Sequence, residues 1–197
     1  MQPKKLSGIV LNNKPYLEFD RRISVFSHEY GKINVMAKGV RKITSHRGFH
    51  LDLLSHVKME VEECGNGDSR ILYLREISTI NQFSKMKSSP QNFAAACLIS
   101  SFLQRILPED TSQKRLFNLT KNTFEALDNV NKTNTKQTLL NYFLKMLRAL
   151  GYMAKTLPQK DVRKTLWERL SHLDPQFSLT ARRTLWTFSK FDSTESS

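Results

Sequence analysis

Val57-Lys58-Met59-Glu60-Val61-Glu62, the stretch Gly65-Asn66-Gly67-Asp68 and the run Arg70-Ile71-Leu72-Tyr73-Leu74-Arg75 decide the fold of this chain. In the first run Val57, Met59 and Val61 fall on one side and charged residues on the other. That is the period-two alternation of a strand with one buried face. Gly and Asn tolerate positive φ, so residues 65–68 predict a hairpin turn, and the last run returns as its partner strand. Upstream, Leu6-Ser7-Gly8-Ile9-Val10-Leu11 is an apolar run that Asn12-Asn13-Lys14-Pro15 is expected to stop. Ile23-Ser24-Val25 alternates, and Ile33-Asn34-Val35-Met36-Ala37 does so again after Gly31. Five short strands in so few residues suit a small closed barrel better than an open sheet with bare edges.

From Pro90 the period becomes helical. Ser89-Pro90 is a helix start, because Pro fits a first turn whose N–H groups have no partner. Phe93, Cys97, Phe102 and Ile106, with Leu98, Ile99 and Leu103, make a broad apolar face that ends at Pro108. A second helix is predicted near Ser112–Leu127 and a third over Thr135–Leu150, with the polar linker Asn129–Asn134 between them. Gly151 stands where a left-handed C-terminal cap belongs. Asp161–Leu173 and Ser178–Phe191 read as two further helices, and Asp192–Ser197 as a polar tail with nothing to bury.

The 197 residues carry 31 Lys+Arg against 18 Asp+Glu, a formal net charge of +13. At 39% hydrophobic the chain is too apolar for disorder. No apolar run approaches the ~18 residues that a membrane span requires, and the start has no apolar segment of a secretory signal. Two cysteines, Cys64 and Cys97, make neither a four-cysteine zinc site nor a disulfide framework, so a reducing, intracellular setting is expected. The charge is uneven. Residues 1–50 hold 10 basic and 3 acidic side chains, a net of +7, whereas residues 51–85 hold 4 and 6, a net of −2. A local surplus makes a field that a phosphate backbone can feel, so nucleic acid is the first partner class and an anionic membrane the second.

Catalysis finds little support. There is no Walker-type loop, no Gly-x-Ser-x-Gly elbow and no His-Glu-x-x-His pair. Glu60 and Glu62 read as the solvated face of a strand, and His46, His50 and His56 as polar loop residues beside cations that oppose a metal. No enzyme, metal or cofactor is expected. The strongest chemical feature is Lys38-Gly39-Val40-Arg41-Lys42-Ile43-Thr44-Ser45-His46-Arg47-Gly48, where Lys38, Arg41, Lys42 and Arg47 fall within ten residues. After a strand, this makes a mobile cationic loop able to track phosphates without reading bases, or else a loop kept polar for solubility. Arg21, Arg22 and Lys32 on neighbouring strands extend the same surface. Tyr16 and Tyr30, beside turns, are candidates to stack on unpaired bases; Phe49 is a further aromatic, and Phe26 reads better as barrel core. Cations on the helices, such as Lys114, Arg115 and Lys145, allow a second, weaker contact surface. An apolar groove between helices could instead take an acidic peptide.

With the strand pattern and the basic loop in hand, the N-terminal residues resemble the RecO family of bacterial DNA-repair proteins. The matching order is Gly8-Ile9-Val10-Leu11, Tyr16-Leu17-Glu18, Asp20-Arg21, Val25-Phe26, Glu29-Tyr30-Gly31-Lys32, Ala37-Lys38-Gly39-Val40-Arg41 and Gly48. Leu139-Leu140-Asn141-Tyr142-Phe143 through Leu147 to Leu150-Gly151-Tyr152 is similar to the family's central helix and its Leu-Gly-Tyr end. The resemblance implies an α+β protein with a five-stranded OB-fold barrel over residues 1–82 and an all-helical domain over 83–197. It further implies a recombination mediator that binds single- and double-stranded DNA, anneals complementary strands and assists recombinase loading in the bacterial cytoplasm at the nucleoid. Its partners would be a RecR-type protein and the acidic C-terminal tail of the single-strand-binding protein. The carried-over DNA contacts are Lys38 and Arg41, then Arg21, Lys32 and Lys42. Many members place a four-cysteine zinc module after the Leu-Gly-Tyr end, whereas Met153–Lys160 contains no cysteine. The rival reading is an RNA-binding OB-fold protein associated with ribosomes or translation; a third is an adaptor for an acidic peptide.

Overall fold

The computed structural model describes residues 3–65, 70–129, 134–153 and 162–177, together with 180, 181, 183 and 184. Five strands, β1 (Lys4–Tyr16), β2 (Asp20–Ser27), β3 (Gly31–Ala37), β4 (His56–Cys64) and β5 (Ile71–Asn81), close into a barrel in the order β1-β2-β3-β5-β4. Closure removes the bare edges that an open five-stranded sheet would present. Every pairing is antiparallel except β3 with β5, which meet in parallel at Val35↔Leu72 and Met36↔Tyr73. The alternation read from the sequence sets the lumen: Ile23, Val25, Ile33, Val35, Met59 and Val61 are all buried in one cluster. The turn assigned to residues 65–68 falls, from Asn66 on, outside the described residues.

β1 does not stop at Asn12-Asn13-Lys14-Pro15. It continues to Tyr16, absorbing the break in pattern as a bulge between Val10 and Asn12 against β2. Its pairing with β4 ends at Ile9, so Pro15 lies where one side of the strand is open and a missing N–H costs no ladder bond there. Phe26 is buried, but its ring lies edge-on to Phe117, 5.5 Å away, rather than in the barrel cluster.

The helices α1 (Ser84–Ser88), α2 (Pro90–Ile106), α3 (Lys114–Asp128), α4 (Thr135–Ala149) and α5 (Val162–Leu173) follow among the described residues, with further helical residues at 175–177. The short α1 has no counterpart in the sequence reading. The chain sorts into two compact units, one of Met1–Phe83 with Leu103–Lys121 and one of Ser84–Phe102 with the residues from Asn122 onward. In the first unit the segment between α2 and α3 adds to the start of β3, with a bridge from Lys32 to Glu109 and a hydrogen bond from Asp110 N to Lys32 O of 3.0 Å.

In the second unit, α4 begins at Asn134, whose side chain accepts from Gln137 N at 2.9 Å. Of the stripe Leu139, Leu140, Phe143, Leu147 and Leu150 that its period predicts, it buries Leu139, Phe143 and Leu147, together with Tyr142 and Met146, while Leu140 and Leu150 stay half-buried. Gly151 then takes φ +81, as a helix cap requires. Phe102, Phe143 and Phe177 pack ring against ring at 4.3–5.7 Å. Cys97 is half-buried and burial pushes its thiol pKa up, while Cys64 is exposed at the end of β4. The helix expected over Ser178–Phe191 is described only at Thr180, Ala181, Arg183 and Thr184; the tail Asp192–Ser197 lies outside the described residues, as do positions 130–133 of the linker. Among the described residues no helix is long and apolar enough to cross a membrane.

Candidate nucleic-acid interface

The basic loop leaves β3 at Ala37 and is folded against the turn Leu17–Phe19 that joins β1 to β2. Arg41 N donates to Phe19 O at 2.9 Å and its guanidinium donates to Leu17 O at 3.2 Å. Gly39 N donates to the Asp20 carboxylate at 2.8 Å, and Lys42 Nζ stands 5.5 Å above the Phe19 ring. Further along, a 3₁₀ turn over His46–His50 brings Arg47 back across the loop. Its guanidinium donates to the carbonyls of Lys38 (3.1 Å), Leu74 and Arg75 (both 3.3 Å), clamping both ends of the loop to β5. Lys38 Nζ lies 4.3 Å over the Tyr73 ring. The cationic side chains themselves meet backbone carbonyls and ring faces, so these contacts hold the cations in place without cancelling their charge.

A second cationic feature is built from strand register. Lys14 faces Arg22 across β1 and β2, and Asn12 faces Ser24; on the other side Ser24 faces Asn34. With Lys32, Gln104 and Glu109 these residues line a polar cleft of about 300 Å³ on the outer face of the barrel. Lys32 Nζ donates to Gln104 O at 3.0 Å, and Asn34 donates to the Glu109 carboxylate at 2.7 Å. Lys14 and Arg22 remain exposed.

The acidic side chains of β4 are engaged elsewhere. Glu60 pairs with Lys5 (2.9 Å), Glu62 with Arg75, and Glu63 with both Lys4 and Arg70, the latter at 2.9 Å. The hydrogen bond from Lys4 holds the Glu63 carboxyl below the usual range, and that from Lys5 to Glu60 holds the Lys5 ammonium above its own. Cations at the start of β1, just before β5 and on β5 are thus neutralised by β4. By contrast Lys14, Arg21, Arg22, Lys32, Lys38, Arg41, Lys42 and Arg47 make no ion pair with any described carboxylate. The field read from the first fifty residues survives folding because the carboxylates of β4 are spent on other partners.

The structure brings Lys38, Arg41, Lys42, Arg47 and Tyr16 to one end of the barrel, since Tyr16 is paired with Asp20, the residue that holds Gly39. Arg22 and Lys32 share the cleft, and Arg21 is half-buried opposite Ala37. Tyr30 lies at the other end of β2, about 23 Å away along the strand; it is half-buried against the barrel core with Lys4 Nζ 5.7 Å over its ring. Sequence reasoning did not single out Lys14, Asn12 and Gln104, which the register and a distant helix end supply. It also passed over Leu17, Phe19 and Ile43, exposed apolar side chains at the cationic end. Their signal was an apolar residue on each side of Glu18 in a turn. The three clustered histidines diverge: His50 meets Thr79 at 2.9 Å and His56 meets Ser7 at 2.8 Å. Among the described residues no group of His, Cys, Asp and Glu gathers to hold a metal ion.

Comparison with known proteins bears on the same residues. The family description "Recombination protein O N terminal" matches residues 1–83, and "Recombination protein O C terminal" matches residues 87–156. The chain is 28% identical over 149 residues to a DNA repair protein RecO of Caldanaerobacter subterraneus, covering 76% of this chain and 58% of that protein. It is 31% identical over 155 residues to the one of Mesoplasma florum, covering 79% and 54%. To that of Dehalococcoides mccartyi it is 27% identical over 173 residues, covering 87% and 66%. The chain therefore spans less than two thirds of the length of these relatives. A closed five-stranded barrel followed by helices, matched in order by both halves of one family, identifies the chain as a member of the RecO (recombination protein O) family.

Proposed function

We propose that this chain is a DNA-repair and recombination mediator that binds single- and double-stranded DNA and anneals complementary strands. It does so by charge neutralisation and without covalent chemistry. Two strands repel each other; a cationic surface that binds both lowers the cost of bringing them together. The observation that carries the reading is the set of cations without carboxylate partners on the loop and on the β1–β2–β3 face, set against a β4 strand whose three carboxylates are matched. Lys38, Arg41 and Lys42 contact phosphates. Arg21, Arg22 and Lys32 extend the path, Arg47 holds the loop in shape, and Tyr16 offers a ring to an unpaired base. Tyr30 contributes from the far turn. The relatives are DNA repair proteins by name, which favours DNA over RNA as the polyanion. Family membership also supports assistance in recombinase loading. The same membership supports a RecR-type protein and the acidic tail of a single-strand-binding protein as partners, and work in the bacterial cytoplasm at the nucleoid.

A salt titration of single-stranded DNA binding tests the reading. Each phosphate contact to a single strand contributes about 0.7 to the slope of log K against log salt, so K38A/R41A/K42A should bind more weakly with a slope flatter by about 2. A titration that overlays the wild type removes the loop from the mechanism. RNA of equal length, included in parallel, should bind less tightly; an RNA preference would favour the translation-associated reading.

A further inference from the structure

Among the described residues nine large apolar side chains are exposed, and five of them lie in or directly beside the β1–β2 turn and the basic loop: Tyr16 at the end of β1, Leu17 and Phe19 in the turn, Ile43 in the loop and Phe49 just after it. Ile43 is fully exposed (103%) and Leu17 nearly three-quarters exposed (73%). Leu17 sits at φ +50, a conformation L side chains rarely adopt, at a place where Asn or Gly would serve a turn more easily. Outliers of this kind persist where the surroundings over-determine them, and here Arg41 grips the turn at both the Leu17 and Phe19 carbonyls. Solvated loops place polar residues at their tips; here Leu17 of the turn, beside the exposed Glu18, and Ile43 of the loop are exposed aliphatic residues on segments that Arg41 and Lys42 tie together, and Lys38, Arg41 and Lys42 make no ion pair with a described carboxylate.

Aromatic rings alone would suffice to stack on unpaired bases. Leu and Ile beside unpaired cations are instead the chemistry of a wedge, an apolar side chain pushed between stacked bases while cations hold the flanking phosphates. We propose that Leu17 and Ile43 form such a wedge and enter a base step where duplex meets single strand, with Lys38, Arg41 and Lys42 on the phosphates to either side. This rests on the DNA-binding reading above and deepens it: the substrate of this end of the barrel is a junction rather than a uniform strand. The loop's ties to β5 through Arg47 and to the β1–β2 turn through Arg41 give the wedge a rigid backing. A membrane-inserting tip is the competing use of the same side chains; three cations without carboxylate partners on one loop, beside the further cations Arg22 and Lys32 of the same barrel, favour the continuous phosphate backbone of DNA.

The test uses the full chain and a forked duplex carrying 2-aminopurine at the base pair beside the junction, with a second fork labelled well inside the duplex. The variant is L17N/I43S. Asn accepts the left-handed backbone at position 17, so the variant removes the apolar surface without straining the turn. Wild type should raise the fluorescence of the junction base and leave the interior base dark. L17N/I43S should lose that rise and bind forks about tenfold more weakly, while its affinity for single-stranded DNA stays near that of the wild type. Wild type that binds single strands with no change at the junction base overturns the wedge and leaves the DNA-binding reading standing. A rise that persists in L17N/I43S likewise overturns the wedge. Binding of phosphatidylglycerol vesicles that depends on Leu17 and Ile43, with a dark junction base, assigns the tip to membranes instead. Absence of any DNA binding by the wild type brings down both readings together.

Discussion

Gly31 opens β3 at φ +76, and a Cβ there would overlap the Thr111 carbonyl, so two demands meet in one residue. The backbone needs the left-handed region, and the incoming 107–112 segment needs the space. Gly151 shares the first demand (φ +81) but has nothing within 4 Å. The pair separates backbone strain from overpacking. Gly31→Ala is expected to lower stability by about 2–4 kcal/mol, strain and clash together, and Gly151→Ala by only about 1–2 kcal/mol. Urea midpoints of the two variants check this. Equal losses would mean that the Thr111 segment yields freely to an added methyl group.

The elements show where sequence pattern is informative and where it is blind. Val57, Met59 and Val61 could be placed in the barrel directly, because a period of two interrupted by Lys58, Glu60 and Glu62 has only one half-buried solution. Asn12–Pro15 misled, because turn-forming residues report local preference while the pairing of β1 with β2 decides the strand. The exposure of Ile43 was not legible at all, and that of Leu17 only as an apolar neighbour of Glu18, since exposure in a turn depends on what fails to cover it. Neither was the role of Arg47. In the sequence it is one more cation in a basic run, whereas folded it reaches three carbonyls 9, 27 and 28 positions away. Arg47→Ala therefore should act on the loop as an element. Hydrogen exchange of residues 38–48 should quicken, with a stability loss of about 1–3 kcal/mol. DNA affinity should fall with little change in salt slope, because the residue lost orders contacts rather than making one. A slope flatter by ~0.7 would show Arg47 on a phosphate instead.

At the scale of the molecule, 31 cations and 18 acids are arranged so that the acids of β4 are spent on the start of β1 and on β5, leaving the rest of the barrel with an uncompensated field. A net charge of +13 repels itself in the compact state, and the matched side limits that cost. Acid attacks this arrangement twice. The Glu63 carboxyl titrates lower in the folded chain than unfolded, chiefly through its hydrogen bond from Lys4 and then through Arg70. Its stabilisation is thus present above the ordinary carboxylate range, near 4.5, and is lost as pH falls through the lowered folded value. Each protonation there also adds to the positive surplus. Lys5 runs the other way: Glu60 raises its pKa above 10.5, so its contribution is complete below that value and is lost only as pH rises through the raised one. The melting temperature should therefore hold level from neutral pH through the mildly acidic range and drop steeply below about pH 4.5, and added salt should recover part of the drop by screening. Glu63→Gln should start lower at neutral pH and show a shallower acid limb, because the proton-linked part of the seam is already gone. A melting profile of that variant parallel to the wild type at every pH would mean that Glu63 is not where acid enters.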